Sequence, residues 1–288
     1  MTEGPLDRTR QAFAETLRER CGLASGRLLG AFAAVPRERF LGPGPWLVRG
    51  PADAAGPRRT GSADPACVYE DASIAIDAER DLYNGQPGVV APWIESLGIR
   101  AGDDVLHIGC GTGYYTAVLA EVTGPGGRVT AIEVDPDLAA RAAAALEPWP
   151  QTVVVAGDGR TGLPSSVDAV LVHAGATHVL TEWLDAAADG GRMLVPLACA
   201  FPGLPATLGK GLVLSLRREG ARWHASAGSV VMIYTLAAWR DEAMNRTLGR
   251  AMLAGTAGQV RALRRDPHDE DERCWLHAPG ACLTAQEA

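Results

Sequence analysis

The pattern of apolar and polar residues predicts alternating strands and helices through the middle of the chain. Short β-branched apolar runs are typical of strands buried in a parallel sheet, and longer segments with apolar residues at helical spacing separate them. The predicted strands are Val105–Ile108, Arg128–Val134, Thr152–Val155, Val167–Val172, Met193–Leu197, Leu212–Leu216 and Ser229–Tyr234. The predicted helices between them are Tyr114–Val122, Ala139–Leu146 and Val179–Ala187. This alternation predicts an α/β protein with a doubly wound, mostly parallel, seven-stranded Rossmann-like sheet.

The N-terminal part of the chain has helical rather than strand periodicity. Apolar residues recur at helical spacing in Leu6–Cys21, and a second short helix is predicted at Gly26–Val35. A loop rich in proline and glycine follows at Leu41–Ala63, with too few apolar residues to pack on its own. Pro87 suits the first turn of a third helix, which continues over Val89–Leu97.

The C-terminal part changes character again. Leu212–Leu216 and Ser229–Tyr234 are predicted to be joined by a polar turn that contains Trp223, and Asp241–Arg264 is predicted to be helical. Three potential metal ligands follow, namely Cys274, His277 and Cys282. This set is one ligand short and matches no zinc spacing, so the sequence predicts a packed tail strand and no metal.

The centre of the predicted sheet carries a glycine-rich turn. The segment from Asp104 reads D-V-L-H-I-G-C-G-T-G-Y-Y-T, which places Gly109, Gly111 and Gly113 directly between a buried strand and a helix. Glycine adopts positive φ without a Cβ clash and lets a ligand approach the backbone. Strand, glycine turn and helix are the first βα unit of a nucleotide-binding domain.

The spacing of the glycines distinguishes between nucleotides. A dinucleotide motif needs G-x-G-x-x-G, but Tyr114 stands where the third glycine would be. Glu133 lies near the end of the next strand, 133 − 109 = 24 positions after the first glycine, where a carboxylate can accept both ribose hydroxyls. S-adenosyl-L-methionine has no phosphate to bind, so these residues favour it over NAD. Asp158, after the third strand, is a candidate acceptor for the adenine amino group, or simply a turn residue.

Charge and cysteine content narrow the function classes. The chain has 288 residues, a net charge of −7 and a pI near 5.4, which argues against a nucleic-acid substrate because phosphate contacts need clustered Lys and Arg. Its six cysteines follow no disulfide framework. It begins M-T-E-G-P-L-D-R without an apolar signal segment, and no stretch approaches a membrane span. We therefore expect a cytoplasmic protein with free thiols.

His173, the residue after the fourth strand, is a candidate base for methyl transfer. Methyl transfer from a sulfonium requires mainly alignment of the nucleophile and exclusion of water, and a carboxylate nucleophile is already ionised at pH 7. An amine or phenol would need a base, and His173 stands where that base would be. His173 is as well explained by a hydrogen bond to a loop carbonyl, and His107 by burial in the core. The fourth strand is not followed by the Asn/Asp-Pro-Pro-Tyr turn that is usual in adenine and glutamine methylation.

Several motifs together resemble the protein-L-isoaspartate O-methyltransferase family. They are V-P-R-E-R-F from Val35, Y-E-D-A-S-I-A-I from Tyr69, Gln86-Pro87, H-I-G-C-G-T-G-Y-Y-T-A-V-L-A from His107, Gly157-Asp158-Gly159 and Gly190-Gly191-Arg192. The glycine motif is common among methyltransferases, and its combination with Y-E-D and Q-P is much more specific. The resemblance, from about Val35 to Leu197, implies the strand order 3-2-1-4-5 with two further strands exchanged at the edge.

The resemblance also implies a set of site residues. The cofactor would be bound by Gln86, His107, Gly109, Gly111, Thr112, Gly113, Tyr114, Glu133, Val134, Gly157, Asp158, Gly159 and His173. In the family, a Thr/Ser-x-Ser segment before Gln-Pro holds the isoaspartyl carboxylate through its hydroxyls. This chain has Tyr83-Asn84-Gly85 there, which argues against isoaspartate repair and resembles relatives that methylate a side-chain carboxylate of a modified peptide. Tyr83, Asn84 and Gly85, with His173, are the candidate catalytic residues.

The sequence therefore predicts an S-adenosyl-L-methionine-dependent O-methyltransferase that acts on a carboxylate of a protein or modified peptide and releases S-adenosyl-L-homocysteine. Two alternatives stay open, namely a small-molecule N- or O-methyltransferase with His173 as base, and a catalytically silent binding protein. We expect an N-terminal segment at 1–80, a cofactor-binding core at 81–217 and a C-terminal extension at 218–288.

Overall fold

The computed structural model describes residues 4–51, 53, 56–205, 207–235 and 240–285. They form two compact units, one made of 1–104 with 110–157 and the other of 105–109 with 158–288. These units do not coincide with the segments 1–80, 81–217 and 218–288, which stay a prediction. Residues 52, 54–55, 236–239 and 286–288, within the predicted loop and extension, lie outside the described residues.

Seven α-helices occur in the described residues, and all the predicted ones are present. They are α1 Pro5–Cys21, α2 Gly26–Ala34, α3 Pro87–Ser96, α4 Tyr114–Thr123, α5 Pro136–Ala145, α6 Thr181–Ala186 and α7 Glu242–Leu253. Short 3-10 helices lie at Arg37–Phe40, Pro65–Val68 and Ala257–Gln259. Local signals define the ends of α1, which begins at Pro5 and ends before Gly22 at φ +67°. None of the described helices has both the length and the apolar character needed to cross a membrane.

The first unit contains a small antiparallel sheet that the sequence did not predict. Its strands are β1 Leu47–Arg49, β2 Arg58–Arg59, β3 Ser73–Asp77 and β4 Leu82–Tyr83, in the order β2-β1-β3-β4. Leu41–Ala63, predicted to have too few apolar residues to pack on its own, packs against another part of the chain. Trp46 and Val48 join a buried cluster with Val68 and Ile74, so the segment gains its core from residues later in the chain. The same unit holds the parallel pair β6 Arg128–Glu133 and β7 Thr152–Ala156.

The second unit contains the remaining strands of the predicted sheet and three more. They are β5 Asp104–Ile108, β8 Val167–Val172, β9 Ala187–Cys199, β10 Leu208–Glu219, β11 Arg222–Tyr234, β12 Ala262–Arg264, β13 Cys274–Leu276 and β14 Cys282–Thr284. Their order is β5-β8-β9-β10-β11-β12-β14-β13. The parallel neighbours β5-β8-β9, like the pair β6-β7, are those of the implied order 3-2-1-4-5. The strand pairs β9-β10, β10-β11, β11-β12, β12-β14 and β13-β14 are antiparallel.

Two predictions for the C-terminal half need correction. The sequence predicts Trp223 in a turn, but Trp223 lies in β11 with 2% of its surface exposed. The turn comes just before β11, where Gly220 has φ +59°. The helix predicted over Asp241–Arg264 ends at Leu253, because Gly255 takes φ +69° and the chain then enters β12. The predicted tail strand is confirmed as β13 and β14.

Candidate functional site

The glycine turn after β5 has the backbone conformation that the sequence predicts. Gly109, Gly111 and Gly113 have φ of +79°, +57° and +93°, and all three lie in the left-handed region that other residues rarely adopt. A Cβ at Gly113 would lie 3.0 Å from Leu146 of the loop after α5. The turn therefore requires glycine for both conformation and space, and it delivers the chain directly into α4.

Glu133 ends β6 and binds this turn. Its Oε2 accepts a hydrogen bond from the backbone N–H of Gly111 at 2.8 Å, and its Oε1 accepts one from Asp135 at 3.1 Å. The residue is 8% exposed, and burial raises the pKa of its carboxyl, against the backbone donors of Asp135, Gly111 and Val134. A carboxylate has about four lone-pair sites. The sites that these hydrogen bonds leave free can accept hydroxyl groups.

Thr112 and Val134 lie beside these two elements. The Thr112 hydroxyl, inside the glycine turn, is buried and has no hydrogen-bond partner among the described residues. Val134, which follows Glu133, exposes 58% of its surface although it is apolar. A buried donor without a partner and an exposed apolar side chain are what a bound polar molecule with an aromatic base would cover.

Tyr114, another predicted cofactor residue at this turn, has a buried side chain. Its ring is 1% exposed and packs edge-on against Phe40 at 5.8 Å, with the Arg37 guanidinium 5.6 Å from the ring centroid. Burial raises the pKa of its phenol. Its side chain is part of the core of the first unit, so any contact with a cofactor would come from its backbone.

The segment Tyr83-Asn84-Gly85 is anchored by neighbouring elements of the same unit. The Asn84 backbone and side chain both pair with Ile74 of β3: its N–H donates to the Ile74 carbonyl at 3.0 Å, and its Oδ1 accepts from the Ile74 N–H at 2.9 Å. The Gly85 carbonyl accepts from the hydroxyl of Tyr115, in the first turn of α4, at 3.0 Å. This hydrogen bond ties the segment to the helix that follows the glycine turn.

Two buried polar atoms of this segment, the Tyr83 hydroxyl oxygen and Asn84 Nδ2, have no hydrogen-bond partner among the described residues. Asn84 is 9% exposed, and its Nδ2 makes no hydrogen bond within the described residues. Tyr83 is 8% exposed, and the Arg49 guanidinium lies over its ring at 4.7 Å. Because its Oδ1 is hydrogen-bonded to Ile74, the buried Asn84 side chain is held in place with an unused N–H₂ donor.

The Y-E-D and Q-P motifs are joined by hydrogen bonds. Asp71 Oδ1 accepts from the backbone N–H of Gly88 in the first turn of α3 at 2.6 Å, and Asp71 Oδ2 accepts from Gln86 Nε2 at 3.0 Å. A Cβ at Gly88 would lie 2.5 Å from the Asp71 carboxylate. The amide of Gln86, predicted to bind the cofactor, is engaged by Asp71, which caps α3.

Residues of the V-P-R-E-R-F motif make hydrogen bonds to the Y-E-D segment and its neighbours. Arg37 is fully buried and donates to the carbonyls of Val68, Glu70 and Ala72. The Tyr69 hydroxyl donates to Glu38 and accepts from Arg10 at 2.9 Å, and burial raises its pKa to about 12. These motifs position the segment before α3.

In the second unit, His107 and His173 stack on one another. Their ring centroids are 5.7 Å apart with 21° between the planes, and the His173 backbone N–H donates to the Ile108 carbonyl at 2.8 Å. Burial lowers the pKa of His173 to about 4, and burial with the neighbouring His173 lowers that of His107 well below its usual range. Both rings are neutral at pH 7, and a histidine of such low pKa is a poor general base.

The turn after β7 contains the remaining predicted residues. The Gly157 N–H donates to the Glu133 carbonyl at 2.9 Å. The Asp158 carboxylate accepts from the Arg160 guanidinium at 2.6 Å and from the Arg160 backbone N–H at 2.9 Å, as a turn residue does. The Gly159 carbonyl accepts from Trp183 Nε1 at 2.8 Å. Whether Asp158 also accepts an adenine amino group stays a prediction.

A strand, three left-handed glycines, a helix and a buried acid on the next strand define a nucleoside-binding α/β protein of the methyltransferase type. Comparison with known proteins agrees. The family model for protein-L-isoaspartate(D-aspartate) O-methyltransferase (PCMT) matches residues 57–201. A relative from Aeropyrum pernix, the protein-L-isoaspartate O-methyltransferase, is 34% identical over 198 residues, which cover 67% of this chain and 68% of that protein.

Two solved structures show the same fold. The structure of a protein-L-isoaspartate O-methyltransferase superposes with a TM-score of 0.64 and 24% sequence identity, and the match covers 89% of this chain and 72% of that one. The structure of a putative protein-L-isoaspartate O-methyltransferase from Plasmodium falciparum, in complex with S-adenosyl-L-homocysteine, superposes with a TM-score of 0.61 and 14% identity. The match covers 79% of this chain and 97% of that one. The chain belongs to the PCMT family. Membership confirms the predicted class, an S-adenosyl-L-methionine-dependent O-methyltransferase of the isoaspartyl-methyltransferase type.

Sequence reasoning missed the supporting residues of the site. Arg37, Asp71 and Tyr115 were seen as parts of motifs, but their roles depend on carbonyls and N–H groups that only the fold brings near them. The local charge pattern gave no signal for these roles, since Arg37 is followed by Glu38 and Arg39, and Asp71 follows Glu70. Such residues are rarely buried unless they are paired.

Proposed function

We propose that this chain transfers the methyl group of S-adenosyl-L-methionine to a carboxylate of a protein or modified peptide, and that the segment Tyr83-Asn84-Gly85 binds the acceptor. The observation that carries the proposal is the buried, unpartnered Nδ2 of Asn84. This segment is hydrogen-bonded through Gly85 to the helix that begins at the glycine turn.

The residues of the first unit fit the cofactor. Glu133 would accept the ribose hydroxyls with the lone pairs that Gly111 and Asp135 leave free. The buried hydroxyl of Thr112 would gain a partner, and Val134 would lose exposed apolar surface. When bound, the cofactor supplies a methyl group on a positively charged sulfur, which is activated without help from the protein.

The acceptor site fits a carboxylate better than an amine or phenol. A carboxylate is ionised at pH 7 and needs only a donor that fixes one oxygen in line. The Asn84 N–H₂ is such a donor. The pKa of His173, about 4, leaves this histidine too weak a base to activate an amine or phenol. The proposal therefore assigns His173 no proton transfer.

The substrate carboxylate would not be bound by side-chain hydroxyls at the positions where the family has Thr/Ser-x-Ser. Gly85 stands at the position of the last serine and has φ +82°. A serine with this φ would be strained, so the hydroxyl cannot be restored there without a change of backbone. Tyr83 fills the other position with a buried ring under Arg49. We infer a substrate whose carboxylate is presented in another setting, such as an aspartate or glutamate side chain of a modified peptide.

The test is a mass-spectrometric assay with the purified chain, the cofactor and a panel of peptides. The panel contains an isoaspartyl peptide, its normal aspartyl isomer, and cyclic or crosslinked peptides with Asp and Glu side chains. We expect a base-labile gain of one CH₂ on a carboxylate of at least one member. Methylation confined to amines or hydroxyls, or no ester on any member, would refute the proposal.

Asn84→Asp tests the acceptor site within the same assay. Aspartate keeps the oxygen that accepts from Ile74 but replaces the N–H₂ donor by a negative charge. We expect kcat/KM to fall on the order of 10- to 100-fold, the loss of one hydrogen bond to a charged group, with cofactor affinity unchanged. The matched control is Asn245→Asp on α7, whose Oδ1 also accepts a backbone N–H, that of Ala200. Equal activity of Asn84→Asp and the control would contradict the role of Asn84.

A further inference from the structure

Four metal-ligating side chains meet in the C-terminal part of the second unit. His268, Cys274, His277 and Cys282 each direct one nitrogen or sulfur atom into a space where all four atoms lie within 4.8 Å of one another. The sequence alone suggested only three ligands. His268 was missed because it lies in a polar stretch, six positions before Cys274 and without a familiar spacing.

The distances within the cluster match tetrahedral coordination. Cys274 Sγ lies 3.6 Å from His268 Nε2 and 3.9 Å from His277 Nδ1. A Zn²⁺ ion with bonds of about 2.3 Å to sulfur and 2.0–2.1 Å to nitrogen separates these two ligands by roughly 3.6 Å at the tetrahedral angle. Small movements would therefore suffice to close the four ligands on one ion.

The surroundings orient the ligands. His268 Nδ1 lies 2.7 Å from the backbone carbonyl of Asp266, to which it donates, so its Nε2 carries the lone pair that faces Cys274. The backbone N–H of Asp271 donates to Cys274 Sγ at 3.4 Å. Histidine ligands of zinc usually have such a second hydrogen bond, and a backbone N–H donor stabilises a thiolate.

The cluster lies among three short strands. The strands β12, β13 and β14 have three residues each. His268 lies in the polar loop between β12 and β13, Cys274 begins β13, and Cys282 begins β14. The PCMT family model ends at residue 201, so this is a feature of the additional C-terminal region.

We propose that His268, Cys274, His277 and Cys282 bind one Zn²⁺ ion as a closed structural site that fixes the loop after β12 to the β13–β14 hairpin. Four protein ligands of the Cys₂His₂ type leave no open position for substrate or water, which is the arrangement of structural rather than catalytic zinc. The ion contributes to the folding of the C-terminal strands and takes no part in methyl transfer.

The first measurement is the metal content of the full chain, purified without chelator, by inductively coupled plasma mass spectrometry. We expect about one zinc ion per chain. Cys274→Ser and His268→Ala should each lower this ratio to near background. The matched controls are Cys67→Ser and His224→Ala, a thiol and an imidazole outside the cluster, and both should retain the metal.

Cobalt provides a readout that does not depend on the stability of a variant. Apo protein that is reconstituted with Co²⁺ should show the visible d–d absorption of a tetrahedral site and a thiolate-to-cobalt charge-transfer band. Chelation should lower the melting temperature, and Zn²⁺ should restore it. Cobalt spectra typical of six oxygen ligands, or zinc content equal to background in the wild-type chain after reconstitution, would overturn the proposal. A Cys274–Cys282 disulfide in the freshly purified protein, detected as two thiols that can be alkylated only after reduction in denatured, chelator-treated samples, would also overturn it.

Discussion

Replacing Glu133 by glutamine isolates the contribution of one carboxylate to cofactor binding. The carboxylate accepts the backbone N–H groups of Gly111 and Asp135, one on each oxygen. Glutamine keeps the shape but turns one acceptor into an N–H₂ donor that faces a backbone N–H. The substitution therefore loses one of these hydrogen bonds and the proposed charge-assisted bonds to the ribose.

The expected loss follows from these contacts. A hydrogen bond to a charged group contributes about 1.5–3 kcal/mol, so the dissociation constant for S-adenosyl-L-homocysteine should rise roughly 10- to 150-fold. The fold should survive. Burial raises the pKa of Glu133, which means that the ionised carboxylate opposes folding near pH 7. Removal of this charge offsets the loss of one backbone hydrogen bond, so the melting temperature should change little.

Isothermal titration calorimetry with S-adenosyl-L-homocysteine measures the effect directly, and thermal unfolding of the same samples reports on the fold. Glu121→Gln is the matched control, because Glu121 lies on α4 of the same unit and its Oε1 accepts from Trp149 Nε1. A Glu133→Gln variant that is folded and binds as tightly as the wild type would refute the assignment of Glu133 to the ribose.

Three further predictions concern stability. Arg37→Met should lower the free energy of urea unfolding by about 3 kcal/mol or more, because it leaves the three carbonyls that Arg37 pairs without donors; a loss below 1 kcal/mol would contradict this role. Asp71→Ala should cost about 1–2 kcal/mol through loss of the α3 cap, and an unchanged urea midpoint would count against it. The wild type should lose stability as the pH falls from 7 toward 4. In this range the two histidines of the unfolded chain, with an ordinary pKa of about 6.5, bind protons, whereas His107 and His173 in the folded chain stay neutral because burial lowers their pKa. His173→Gln should reduce this slope by up to about 1.4 kcal/mol per pH unit, and an identical slope would show that His173 is not buried as described.

Local patterns predicted the centre of the fold correctly. The strand Val105–Ile108, the glycine turn and the helix from Tyr114 are specified by neighbouring residues, since the apolar run, the need for positive φ and the helical periodicity are all local. The position of Glu133 at the end of β6 follows from the same reasoning.

The errors lie where partners are distant in the chain. β1 forms because Val48 pairs with Ile74 of β3, which no local pattern of the glycine-rich segment indicates. Trp223 enters β11 because β12 pairs beside it through Leu263. The fourth ligand of the C-terminal cluster, His268, is close to Cys274 only because a loop reverses the chain between two strands. Burial of Arg37 likewise depends on the carbonyls of a segment more than thirty residues away.

A crystal structure of the chain with S-adenosyl-L-homocysteine tests the central claim most directly. We expect the ribose hydroxyls within hydrogen-bonding distance of the Glu133 carboxylate, about 2.6–3.2 Å, and a partner for the Thr112 hydroxyl. A nucleoside bound away from Glu133 and the glycine turn would contradict the account.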